Sequence, residues 1–134
     1  YTPDATKATY ERLHELAISV YEGGYPVIVD ATFLKRWQRR LFLELSSEVE
    51  VPFLIFDLQC DTKIMRNRIE ERSSTGIDIS EADLDVLEKQ MQTAEPLSNK
   101  EMEICFVVDC TSMESIKRSI SAHPALTGTL YWQL

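Results

Sequence analysis

Three short runs of consecutive apolar residues constrain this chain more than any other feature. They are Pro26-Val27-Ile28-Val29 before Asp30, Phe53-Leu54-Ile55-Phe56 before Asp57, and Ile104-Cys105-Phe106-Val107-Val108 before Asp109. A strand with one wet face alternates apolar and polar residues. A β-branched or aromatic run without alternation predicts a strand buried on both faces, as in a parallel sheet.

The stretches between the runs carry the helical period. Pro3 suits a first helical turn after the N-cap Thr2, Tyr10, Leu13, Leu16, Ala17 and Val20 share one face, and Gly23 is the expected stop. Leu34, Trp37, Leu41 and Leu45 form a second stripe over about 34–49. Asp61 is placed to cap a helix running to Arg72. Ser73 to Ile79, which contains Gly76, reads as a polar loop. Ser80-Glu81-Ala82-Asp83 resembles a capping box for a helix that stops before Pro96. Thr111 or Ser112 caps a last helix carrying Met113, Ile116 and Ile120, and the tail 123–134 has no period. The expected order is α-β-α-β-α-loop-α-β-α, an α/β chain with a parallel sheet and helices on both faces. Chemistry in such sheets sits at the carboxyl ends of the strands.

Bulk properties exclude several classes. The chain has 134 residues, enough for one domain, and a formal net charge of −8, which argues against a nucleic-acid binder. Its apolar runs are far shorter than a membrane helix requires. Three cysteines without a C-x-x-C motif predict reduced thiols in a cytoplasmic protein. His14 and His123 are too far apart for a metal cluster. The four glycines, Gly23, Gly24, Gly76 and Gly128, cannot make the phosphate-cradling loop G-x-x-x-x-G-K-[ST]. The sequence begins at Tyr1 rather than Met, so the chain is expected to be a piece of something longer or a processed product.

Two constellations carry candidate chemistry. Asp30 closes an apolar run, as the acid of a Walker B strand does, where a carboxylate binds Mg²⁺ or activates a hydroxyl. The same placement also suits a turn former. Lys35, Arg36, Arg39, Arg40, Lys63, Arg66, Arg68 and Arg72 supply eight of the 14 basic residues in an otherwise acidic chain. Arg68 and Arg72 share a helix face at the edge of the Gly76 loop, a placement suited to closing on polyphosphate. A solvated helix with i,i+4 pairs is the alternative. The aromatic pair Tyr131-Trp132 reads as packing or docking surface.

Val29-Asp30-Ala31-Thr32-Phe33-Leu34, Met65-Arg66-Asn67-Arg68-Ile69-Glu70-Glu71-Arg72 and Ser80-Glu81-Ala82-Asp83-Leu84 with Gln90 and Glu95-Pro96-Leu97 together resemble a P-loop kinase family. It is the AAA-type ATP-binding domain related to gluconate kinase, polynucleotide kinase and zeta toxin, often fused behind an aminoglycoside-phosphotransferase-like domain. The resemblance covers roughly residues 1–110. It implies a partial three-layer P-loop NTPase fold and an ATP- and Mg²⁺-dependent transfer to a hydroxyl acceptor. Asp30 would be the catalytic and metal-side acid with Thr32 beside it, and Arg36 and Arg39 would hold the acceptor. Arg68 and Arg72 would clamp the transferring phosphoryl group, and Arg66 would be a further cofactor contact. The lid would lie at about 66–80.

These residues depart from the family where the P-loop strand should be. In such kinases that strand lies between the strands matching 26–30 and 53–58, so residues 1–134 are expected to be the carboxyl-side portion of one kinase-like domain, inactive alone. The open place would be filled by direct pairing, by an upstream or fused segment, or by a second copy in a homodimer. The competing readings are a degenerate regulatory module and a single-strand nucleic-acid binder, the latter disfavoured by the charge.

Overall fold

The computed structural model describes residues 3–74 and 81–122. The chain divides into two compact units, residues 1–53 with 94–96 and residues 54–93 with 97–134.

The first unit holds helices α1 (Pro3–Glu22) and α2 (Arg36–Glu48). Helix α1 ends in a two-bond left-handed turn. Tyr25 N donates to Val20 O (3.3 Å), Gly24 N donates to Tyr21 O (2.8 Å), and Gly24 takes φ 82°. The stop residue is therefore Gly24 rather than Gly23, because the residue just past the cap needs positive φ. Helix α2 closes similarly, with Val51 N donating to Ser46 O (3.0 Å) and Glu50 at φ 54°.

Tyr10, Ala17 and Phe42 are buried, and Leu13, Val29, Ala31, Phe33, Leu41, Leu45 and Phe53 pack on them. The rings meet edge-to-face. Tyr10 lies 5.3 Å from Phe33 and 5.5 Å from Trp37, and Phe33 lies 5.4 Å from Phe42. Such geometry sets the positive edge of one ring on the negative face of the next.

The second unit holds β1 (Ile55–Gln59), α3 (Thr62–Ser74), α4 (Glu81–Thr93), α5 (Asn99–Glu103), β2 (Cys105–Asp109) and α6 (Met113–Ser121). Strands β1 and β2 are parallel, with Ile55 beside Cys105 and Gln59 beside Asp109. Val108 is 2% exposed, and Phe56 meets Phe106 across the strands. Helices α5 and α6 both pack on β2. Helix α5 was not expected. Its signal is present in Ser98-Asn99-Lys100-Glu101, where Glu101 Oε2 accepts from Ser98 N (2.7 Å) and Ser98 Oγ accepts from Glu101 N (3.3 Å). This reciprocal capping box lets a helix of one turn form.

The sequence predicts three parallel strands, and the described residues contain two. The run 26–30 takes no regular secondary structure and joins no ladder among the described residues. No backbone hydrogen bond involves residues 26–31 among the described residues, and Ile28 is 95% exposed. Apolarity and β-branching prepare a segment for a sheet, but a strand exists only with a partner. The second run also begins pairing later than its apolar start, at Ile55, so Asp57 lies inside β1 rather than at its end.

Candidate functional site

The candidate site is built around residues 29–39 of the first unit. Asp30 and Thr32 are exposed, whereas Val29 and Ala31 pack on the core, so alternate side chains face outward here. The Asp30 side chain makes no hydrogen bond or ion pair among the described residues. It lies at the end of an apolar groove of about 130 Å³ formed by Leu13, Leu16, Ala17 and Val20 of α1 and residues 27–29.

The backbone just beyond Asp30 is held firmly. Phe33 has φ 46°, a left-handed conformation that is costly for an aromatic residue. Tyr10 Oη accepts from Phe33 N (2.9 Å) and lies 3.4 Å from Thr32 Oγ1. Arg39 Nη1 donates to Phe33 O (2.9 Å) on the other side of the same residue. The strained residue is thus fixed through both of its backbone polar groups.

Arg39 also donates to Glu95 O and Pro96 O, each at 3.2 Å, and is 6% exposed. The guanidinium fork is spent on three carbonyls of the chain. The sequence expectation is that Arg39 holds a substrate; in the structure its guanidinium braces Phe33, Glu95 and Pro96. Arg36, three residues earlier, is exposed. Its backbone N–H is occupied by Glu95 Oε2 (2.7 Å). Glu95 N returns a bond to Leu34 O (2.7 Å), and Lys35 Nζ is 3.7 Å from Glu95 Oε1. The Arg36 N–H holds the Glu95 carboxyl below its ordinary range against the opposing effect of burial, with further help from the Lys35, Arg36 and Arg39 charges. Glu95 and Tyr10 are the site residues that sequence reasoning left out. Glu95 lies 59 positions from Arg36 and Tyr10 22 from Thr32, so no local pattern joins them.

In the second unit Arg68 Nη2 donates to Cys110 O (2.7 Å) and Thr111 O (3.4 Å), so its fork is docked on the turn after β2. Arg66 pairs with Glu88, tying α3 to α4. Arg72 lies within α3, and its side chain lies outside the described residues, as do residues 75–80 of the lid expected at about 66–80 and the tail 123–134. Asp109 behaves as a turn former. Its Oδ1 accepts from Thr111 N (2.9 Å), and bonds from Thr111 and Ser115 hold its carboxyl below the usual range.

Among the described residues no group of three His, Cys, Asp or Glu could hold a metal, and no helix is long and apolar enough to cross a membrane. No curated protein and no solved structure matches the chain. The family model described as AAA domain matches residues 1–97, which contain the run ending at Asp30, the Tyr10–Phe33–Arg39 brace and Glu95. With most of its length matched, including every residue of this candidate site, the chain belongs to the AAA domain family, whose members are nucleotide-binding proteins of P-loop type.

Proposed function

We propose that this chain is the carboxyl-side part of an ATP-dependent kinase that transfers the γ-phosphoryl group to a hydroxyl acceptor, and that these residues alone do not turn over ATP. One observation carries the reading. The family-matched run 26–30 joins no ladder among the described residues, and it ends in an exposed Asp30 that has no hydrogen-bond or ion-pair partner among them. An edge of that kind accepts a further strand. The loop G-x-x-x-x-G-K-[ST], missing from these 134 residues, would arrive on it.

Asp30 suits Mg²⁺ because this ion is held by one or two carboxylates, with water and substrate phosphates completing its shell. Bound there, Mg²⁺ would offset charge on the phosphates of ATP. The Asp30 carboxylate would hold the metal or accept the proton of the attacking hydroxyl. Thr32 would offer a hydroxyl beside it, and Arg36 a guanidinium toward the acceptor. Tyr10, Arg39 and Glu95 would fix the backbone between these groups, which matters because phosphoryl transfer depends on positioning and fixed charge. Arg72 is kept as a candidate for phosphate contact. Arg66 and Arg68 are assigned to holding the second unit together. A small-molecule acceptor and a cytoplasmic setting go with this reading, and all three cysteines are unbridged.

The test is ATP·Mg²⁺ binding and phosphoryl transfer by the protein with its upstream sequence. Sugar, aminoglycoside and oligonucleotide hydroxyls serve as acceptors. Asp30→Ala is expected to lower transfer by about 10²-fold or more while the fold persists. A protein that carries the loop yet neither binds nor hydrolyses ATP would refute the kinase reading. A natural start at Tyr1 would favour the second reading, a non-catalytic regulatory module, which rests on the absence of the loop from these residues.

A further inference from the structure

The parallel register of the second unit sets two cysteines side by side. Gln59 of β1 pairs with Asp109 of β2, so the next residues are Cys60 and Cys110, one step past the ladder. The bond from Cys110 N to Gln59 O (2.8 Å) carries the pairing to that step. Side chains two and four positions earlier lie on the same face, and there the Phe56 and Phe106 rings meet at 5.7 Å. Neighbouring strands are about 4.8 Å apart. Disulfides span Cα separations of roughly 4.4–6.8 Å. Cys60 Sγ is 3.6 Å from Cys110 O, and both thiols are unbridged and half-buried.

The two sulfurs differ in their surroundings. Arg68 Nη1 lies 3.8 Å from Cys60 Sγ, and its Nη2 is docked on Cys110 O and Thr111 O. A fixed cation at that distance from the Cys60 sulfur can offset the negative charge shared by the sulfurs as exchange proceeds. Burial and the nearby Cys60 and Asp109 push the Cys110 thiol up, with Arg68 opposing. Cys105 pairs with Ile55 and is an odd number of residues from Cys110, so it faces the other side of the sheet.

We propose that Cys60 and Cys110 form a thiol–disulfide exchange site whose co-reactant is a low-molecular-weight disulfide such as oxidised glutathione. The Cys60 thiolate attacks one glutathione sulfur, the glutathione S–S bond breaks, and the first glutathione leaves as a thiolate. Cys110 then loses its proton and attacks the Cys60 sulfur. The intramolecular S–S bond forms and the second glutathione leaves. Two protein thiols are oxidised and one disulfide is reduced to two thiols. The bridge joins the carboxyl ends of β1 and β2 beneath Arg68. It needs no nucleotide, so it stands or falls separately from the kinase reading.

The test incubates the full chain, air excluded, in reduced and oxidised glutathione at graded ratios, with alkylation and peptide mass spectrometry as the readout. The expected product is one bridged peptide pair carrying Cys60 and Cys110, reversed by dithiothreitol, with Cys105 alkylated throughout. Cys110→Ser should accumulate glutathione on Cys60, and Cys60→Ser should leave Cys110 largely free. Both variants are near-isosteric, and circular dichroism checks their fold. Arg68→Met should slow adduct formation at Cys60 by about tenfold, with partial rescue by Arg68→Lys. Stable glutathione adducts without a bridge in the unsubstituted chain, or a bridge to Cys105, would overturn the site. An unchanged rate in Arg68→Met would overturn the positioning role of that arginine.

Discussion

Residues 26–30 and 105–109 carry nearly the same message, four apolar residues and then an aspartate, and they come to opposite ends. The second run lies in a ladder with β1, buries Val108, and turns its Asp109 carboxylate back on Thr111 N. The first run has no ladder, leaves Ile28 95% exposed, and presents Asp30 without a partner among the described residues. Local propensity is therefore shared, and pairing decides the outcome. The same difference separates an acid held in a turn from one left exposed.

The largest expected effect breaks what holds Asp30 in place. Arg39→Met keeps the volume of the stem but removes the donors to Phe33 O, Glu95 O and Pro96 O. Hydrogen bonds from a charged group contribute about 1.5–3 kcal/mol each, and carbonyls left dry add to the loss. Urea denaturation should show a loss of about 3 kcal/mol or more in the first unit. A loss under about 1 kcal/mol would show that Phe33 keeps its left-handed backbone without the brace. Tyr10→Phe removes the acceptor for Phe33 N alone and should cost roughly 1–2 kcal/mol.

A direct contrast of the two runs comes next. Val108→Ala deletes two buried methyl groups from β2 and should cost about 2 kcal/mol. Ile28→Ala removes more carbon but from a fully wet position, and should change stability by roughly 0.5 kcal/mol or less. Equal losses at the two positions would mean that residues 26–30 are covered in solution, by a second copy or by another segment. Sedimentation equilibrium then separates the two.

The helices were legible because their signals are local. Apolar spacing, a cap and a stop lie within one segment, as in Pro3–Glu22 and in α6 with its Ser112 cap. Asp30, Thr32 and Arg36 stand out as candidates in the sequence because they come at or just after the end of one apolar run. The roles of Arg39, Glu95 and Tyr10 were not legible, since each depends on contacts more than 20 residues away along the chain. Arg39 shows the limit well. Nothing in Leu34-Lys35-Arg36-Trp37-Gln38-Arg39 tells which arginine turns inward, because both lie one turn apart on α2. Only the carbonyls of Phe33, Glu95 and Pro96 select Arg39. The missing third strand was misread for the same reason, since a ladder partner cannot be seen in the run that needs it.

The smallest effect uses acid to compare the two units. Glu95 has its carboxyl held low first by the Arg36 N–H, and Asp109 by bonds from Thr111. A carboxylate whose folded pKa is depressed contributes stability that is fully present above its unfolded value. That contribution is lost as pH falls through the lower, folded value. Both units should therefore weaken below the ordinary carboxylate range, near 4.5 for Glu and 3.8 for Asp. Glu95→Gln should flatten the acid limb of the first unit and leave that of the second. Asp109→Asn should do the reverse. Each amide keeps an oxygen to accept the backbone bond, so the neutral-pH fold survives and the slope reports the charge. Amide signals of Arg36 and Thr111, tracked by NMR from neutral to acid pH, read the two units separately. A Glu95→Gln variant in which the Arg36 amide still shifts with acid as before would show that Glu95 does not govern the turn beside Asp30.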